Sequence, residues 1–230
     1  MSMPFYVSPE QVMKDRADYA RKGIARGRSL VAIECAEGIV IIAENPSRTL
    51  FKISEIYDRI AFAGVGRYNE FQMLKIAGVR LADLKGYQYS REDVTANSLA
   101  NAYAQTLGQV FTHEMKPYEV EILVAQVSSD TDGDDELFHI MYDGTVMDEH
   151  GFTVLGGQTD SIADALKDEY TDGMSQADAI RLGCKVLSPA DDERLPADQL
   201  EVAALERARG KRAFRRIKGR ELEGILEAGS

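Results

Sequence analysis

Any chemistry in this chain would be sought first at its three histidines, His113, His139 and His150, which are scattered without partners at catalytic spacing. No GxSxG nucleophile elbow and no HExxH zinc pair occurs. Each histidine therefore reads as a surface or hydrogen-bonded residue. Ala63-Gly64-Val65-Gly66 falls between a strand pattern and a helix pattern, where a dinucleotide-binding turn would sit, but Asn69 replaces the third glycine of that fingerprint. Gly156-Gly157 also separates a strand from a helix, and there the pair is expected to allow close packing rather than to hold an anion. The run Asp130-Thr131-Asp132-Gly133-Asp134-Asp135-Glu136 has the carboxylates of a calcium loop, yet Gly133 comes too early and the twelfth position is Met141. It reads as a solvated hairpin tip. Cys35 and Cys184 belong to no CxxC or Cys/His cluster and read as reduced core thiols. No cofactor and no metal is expected.

Charge narrows the partners. The formal net charge is −11, which opposes general binding to a phosphate backbone. Arg207, Arg209, Lys211, Arg212, Arg215, Arg216, Lys218 and Arg220 nevertheless crowd one short hairpin, and Lys14, Arg16, Arg21, Lys22, Arg26 and Arg28 cluster near the start. The basic hairpin implies an acidic partner or a solvated or subunit-contacting surface. Uncharged apolar runs such as Ile39–Ala43 fall far short of the roughly 18–20 residues that cross a bilayer, and the start lacks the apolar core of a signal peptide. A soluble cytoplasmic protein is expected, without membrane or nucleic-acid partners.

The elements that must position these residues follow from period. Ser8-Pro9-Glu10-Gln11 opens a helix: Ser8 can cap, Pro9 suits the first helical position, and Gln11 can bond back to complete a capping box. Met13, Ala17, Ala20 and Ile24 continue it to near Gly23. The period then changes. Ser29–Ala36 and Ile39–Ala43 read as one hairpin, and Leu50–Ile53 and Arg59–Ala63 as another. Helical spacing returns over Tyr68–Leu81 and Glu92–Thr112, strands over Val120–Val127, Leu137–Tyr142 and Thr145–Met147. Ser161–Tyr170 and Ser175–Leu187 form a second helix pair, and Gln199–Glu206 with Arg212–Ile217 a last hairpin before a helical turn at Glu221–Leu226. There is little of the βαβ alternation of a parallel sheet. Two mainly antiparallel sheets, packed face to face with a helix pair on each outer side, bury every apolar face. The expected fold is thus a four-layer αββα sandwich, with 1–8 as a leader, 9–27 as an N-terminal helix and 28–230 as a single domain.

Ser8-Pro9-Glu10 followed by Tyr19-Ala20-Arg21-Lys22-Gly23 resembles the opening signature of proteasome α subunits. The likeness continues through Gly38–Ala43, Lys52-Ile53 beside Tyr57-Asp58, Ala63-Gly64-Val65-Gly66, and Lys116-Pro117-Tyr118-Glu119-Val120. It takes in the Asp143-Gly144 turn and Gly156-Gly157, and so spans essentially the whole chain. Met1–Gly27, Glu44-Asn45-Pro46-Ser47-Arg48 and Arg212-Ala213-Phe214-Arg215-Arg216-Ile217 resemble the actinobacterial branch in particular. The resemblance implies the fold of the N-terminal-nucleophile hydrolases. In the family's catalytic β subunits a threonine opens the first strand, and its free α-amine serves as base for its own hydroxyl. That place falls here near Arg28-Ser29, behind a helix, and the family's acidic partner appears as Asn45, while Lys52 stands at roughly the active-site lysine's position. No catalytic residue is therefore expected.

What the resemblance implies instead is a seven-membered outer ring that gates entry to a threonine-protease chamber formed by β subunits. The gate falls on Met3, Phe5, Tyr6 and Val7, with Ser8 and Pro9 fixing where the helix begins. The family's activator pocket, which takes the C-terminal tail of a ring-shaped ATPase or other activator, maps its carboxylate-binding lysine onto Lys52. Unfolded proteins in transit would be the substrates. Two rivals differ in class. A self-processing amidohydrolase needs a nucleophile at residue one after cleavage, and a monomeric binding module would use the basic hairpin.

Overall fold

The computed structural model describes residues 8–129, 134–188 and 195–228. In chain order the elements are α1 (Pro9–Ile24), β1 (Leu30–Cys35), β2 (Gly38–Glu44), β3 (Ile53–Tyr57), β4 (Ile60–Gly66), α2 (Tyr68–Gln88) and α3 (Ala96–His113). They continue as β5 (Val120–Gln126), β6 (Glu136–Ile140), β7 (Val146–Glu149), β8 (Phe152–Leu155), α4 (Thr159–Glu169), α5 (Gln176–Leu187), β9 (Leu200–Glu206), β10 (Phe214–Ile217) and α6 (Arg220–Glu227).

The strands form two five-stranded sheets, β10-β9-β2-β1-β8 and β3-β4-β5-β6-β7, with every neighbouring pair antiparallel. Most strands read as unbroken apolar runs because both their faces are covered. Along β1, Leu30 and Ala32 point to the opposite sheet and share a layer with its Leu123 and Ala125, whereas Val31 and Ile33 point outward to Ile180 and Leu166. The other sheet's outer face, with Phe62, Ile122 and Val124, packs on Phe71, Leu99 and Tyr103 of α2 and α3. Three apolar layers thus separate four layers of elements, as the αββα expectation requires.

Local differences from the sequence pattern have identifiable causes. The segment Leu50–Ile53 is not the strand expected: Leu50 and Phe51 are exposed, and side chains of Asn45 and Gln72 take up their carbonyls. The strand proper lies later because the Asp58-Arg59 turn sets Tyr57 opposite Ile60. Helix α2 runs seven residues past Leu81, carried by the buried Ala82 and by Leu84, Lys85 and Gln88, which favour helix. The expected helix from Glu92 is split into a 3-10 turn at Arg91–Asp93 and α3, whose first turn is capped by Thr95 onto the Ser98 N–H at 3.2 Å. In α1, Ser8 accepts from the Gln11 N–H at 3.3 Å, but the Gln11 amide donates to Asp15 at 2.6 Å instead of closing a capping box. The helix ends at Ile24, one residue past the Gly23 expected.

Candidate functional site

The residues that carry the site come from the ends of strands in one sheet and the edge of the other. Arg28 and Ser29 lead from α1 into β1, Asn45 follows β2, Lys52 precedes β3, Glu201 lies on β9, and Arg216 on β10. At their centre the Lys52 ammonium donates to the Arg28 carbonyl at 2.7 Å. That oxygen belongs to the Arg28–Ser29 peptide bond. Burial pushes the Lys52 pKa down to about 8, the Glu201 carboxylate opposes the fall, and the Arg28 guanidinium adds to it. Arg28 in turn pairs with Glu44.

Ser29 is buried and follows Arg28 through an ordinary peptide bond, so its nitrogen is an amide with no basic lone pair to offer. Gly156, at φ +117, comes so close that a side chain there would sit 3.0 Å from the Ser29 Cα, and one at Gly157 would lie 2.5 Å from the Ala25 carbonyl oxygen. The glycine pair therefore serves close packing, as expected, and it packs on the strand position where a nucleophile would need room. Asn45, in place of an acid, donates to the Leu50 carbonyl at 2.8 Å and to Glu201 at 2.7 Å and accepts from the Ser47 N–H at 3.0 Å. It is a brace.

The sequence pattern gave no signal for Glu201 beyond one carboxylate inside the apolar run Leu200–Leu205, yet it is the best-satisfied polar group of the site. It accepts from the Lys52 N–H at 2.8 Å, the Ile53 N–H at 3.1 Å, Asn45 and the Arg216 guanidinium at 2.7 Å. Arg216 also reaches the Ile53 carbonyl at 2.5 Å and stacks over the Phe51 ring at 4.3 Å. A cavity of about 330 Å³ opens beside this cluster, lined by Asn45, Ser47, Phe51, Glu201 and Arg216.

The remaining candidates disperse. Met3, Phe5, Tyr6 and Val7 lie outside the described residues; Ser8 and Pro9 hold the cap and first position of α1. That helix is seated by Ala20 and Ile24 against Tyr142, and by Gly23, where a side chain would come within 2.3 Å of Glu119. The basic hairpin is largely committed inside the chain. Arg207 pairs with Asp135 at 2.8 Å, Arg215 with Glu206 at 2.7 Å and with Glu221, Arg216 with Glu201, and Arg212 with Glu55 at 3.5 Å. Asp135 is thereby bound to Arg207 rather than open to a cation, and among the described residues no group of acidic, histidine or cysteine side chains could hold a metal. His113 and His150 are exposed, whereas His139 is buried 3.4 Å from Glu121. Burial pushes the Cys35 thiol up to about 11 and the Cys184 thiol up to about 12, which leaves both inert. Among the described residues no helix is long and apolar enough to cross a membrane.

The family model described as Proteasome subunit matches residues 24–205. The chain belongs to the proteasome subunit family. Over 231 residues it is 58% identical to a protein named Proteasome subunit alpha from Acidothermus cellulolyticus, covering 98% of each chain. The protein of that name from Thermomonospora curvata is 56% identical over the full length of both, and one from a Nocardioides species is 58% identical over 98% of this chain and 90% of the relative. These relatives place the chain on the α-type, actinobacterial side of the proteasome family, as its opening signature suggested, and make it a component of a proteasome particle. The αββα sandwich agrees with that membership.

Proposed function

We propose that this chain builds the outer ring of a cytoplasmic proteasome core, seven copies to a ring, stacked on β subunits that hold the catalytic threonines. The ring gates entry of unfolded proteins through the leader residues Met3, Phe5, Tyr6 and Val7, positioned by Ser8 and Pro9, and receives the C-terminal tails of a ring-shaped ATPase or another activator at Lys52. The observation that carries this reading is the state of the strand start. The chain runs unbroken through Arg28–Ser29, with the Arg28 carbonyl capped by Lys52 at 2.7 Å, in a family whose working subunits need a free amine there. A half-buried ammonium resting on one neutral carbonyl lacks a full countercharge, and an arriving carboxylate supplies it.

Substituting Lys52→Ala tests the docking half. It is expected to leave assembly and basal peptide hydrolysis intact while activator-tail binding weakens about ten- to hundredfold, because a charge-assisted contact of roughly 1.5–3 kcal/mol is lost. Undiminished binding of a tail peptide to the mutant particle would reject Lys52 as the carboxylate partner.

A further inference from the structure

Three segments of the chain converge on one buried carboxylate. Glu201 receives the Asn45 amide from the end of β2, the N–H groups of Lys52 and Ile53 at the entry of β3, and the Arg216 guanidinium from β10. Both Glu201 oxygens are used: one takes Asn45 and the Lys52 N–H, the other the Ile53 N–H and Arg216. Arg216 and Asn45 then grip the same segment from the carbonyl side, at Ile53 and at Leu50. The Lys52 carbonyl accepts from the Gly64 N–H of β4 at 3.1 Å and the Phe51 carbonyl from Gln72 at 3.4 Å, while the two N–H groups that lead into β3, those of Lys52 and Ile53, both go to this carboxylate. Its negative charge has a second consequence beyond accepting these four donors: it favours the charged form of the nearby Lys52 ammonium.

We propose that Glu201 is the positioning residue of the Lys52 site, fixing the main chain that carries the lysine and keeping that lysine cationic at neutral pH so that it can receive a carboxylate. The second part rests on the docking reading above; the first does not. The charges around Lys52 are few and opposed. Glu201 on β9 favours the cation, while Arg28, ahead of β1 and shared with Glu44 of β2, disfavours it. Arg216 on β10 draws on the same carboxylate, and Lys75 on α2 faces both Glu201 and Arg216. Without Glu201 the balance falls to burial and like charge, both of which favour the neutral amine.

The test follows the Lys52 amine itself. The full chain is treated with an amine-acylating reagent across a pH series, and the rate of modification at Lys52 is read by peptide mass spectrometry, since only the neutral amine reacts. In Glu201→Gln, which keeps the shape and two acceptor sites, the midpoint is expected to move to lower pH by on the order of one unit. Arg216→Met frees the carboxylate from its competing cation and is expected to move it the other way. If Glu201→Gln does not fold, the upward shift in Arg216→Met decides alone. An unchanged Lys52 midpoint in both variants, or a shift of the wrong sign in either, overturns the proposal. A role limited to stability would lower the melting temperature and leave the midpoint in place. In a parallel arm, a free tail peptide is titrated onto the assembled particle. A lower pH ceiling for binding in Glu201→Gln supports both parts, and an unchanged ceiling overturns the second. A shifted midpoint with no peptide binding to the unmodified particle at any pH refutes the docking reading and upholds control of Lys52 by Glu201.

Discussion

At the residue scale, the docking role proposed for Lys52 makes function depend on pH. With its pKa lowered to about 8 by burial, the ammonium is fully populated below about pH 7 and is lost as pH rises through that value, whereas a tail carboxylate stays ionised throughout. Tail affinity is therefore expected to be flat below neutrality and to fall about tenfold per pH unit above pH 8. Lys52→Arg should abolish that dependence, whatever its effect on affinity, because a guanidinium does not titrate there; a slope retained in the arginine variant would assign the titration elsewhere. The same scale governs catalysis. A pure, β-free preparation is expected to hydrolyse no fluorogenic peptide, and measurable turnover that disappears in Ser29→Ala would show that the buried hydroxyl works without a free amine. Lys52 and Ser29 were legible only through resemblance to a family, since a lone lysine in a polar stretch has no pattern of its own. Glu201 was not legible at all. Its four partners lie up to 156 residues away in sequence, and a carboxylate's hydrogen bonds across that distance leave no local periodicity.

At the element scale, period 2 and period 3.6 located nearly every strand and helix, because two buried sheet faces and two helix pairs each demand a continuous apolar stripe. They failed at Leu50-Phe51, where apolar residues are exposed and side-chain hydrogen bonds replace the ladder. They gave no bounds for β8, which is only four residues long, yet closes the sheet edge beside β1. Signals from turn chemistry did better: Asp143-Gly144 and Gly156-Gly157 both stand where the chain reverses or two backbones meet. The glycine pair holds the junction between α1 and β1 against the start of α4, so a methyl group there must displace backbone rather than a mobile side chain. Gly157→Ala is expected to destabilise the fold by about 1–3 kcal/mol, seen as a lower urea midpoint with an unchanged slope. An unaltered midpoint would mean that the junction at Ala25 yields freely and that α1 is only loosely fixed to the sandwich.

At the scale of the whole molecule, the N-terminal half of α1, with Val12 and Met13, is exposed, while its C-terminal half is anchored on Tyr142. In the proposed gate, leader segments bury apolar surface against one another, and each ordered residue costs about 1–2 kcal/mol of backbone entropy, nearly offsetting what its side chains bury. The closed gate is expected to be weak. Removing residues 1–7 should speed hydrolysis of a longer peptide by a co-assembled α/β particle without any activator, and leave hydrolysis of a tripeptide unchanged; equal rates for the longer peptide would place the barrier elsewhere. α2 adds exposed Met73, Ile76, Leu84 and Tyr87 along one side. The central claim, that the chain is a ring-forming proteasome subunit without its own active site, is met most directly by the native mass of the chain co-purified with its β partner. The expected result is a particle containing this chain in multiples of seven together with β subunits. A monomer of 25.5 kDa that takes up no β subunit would contradict it.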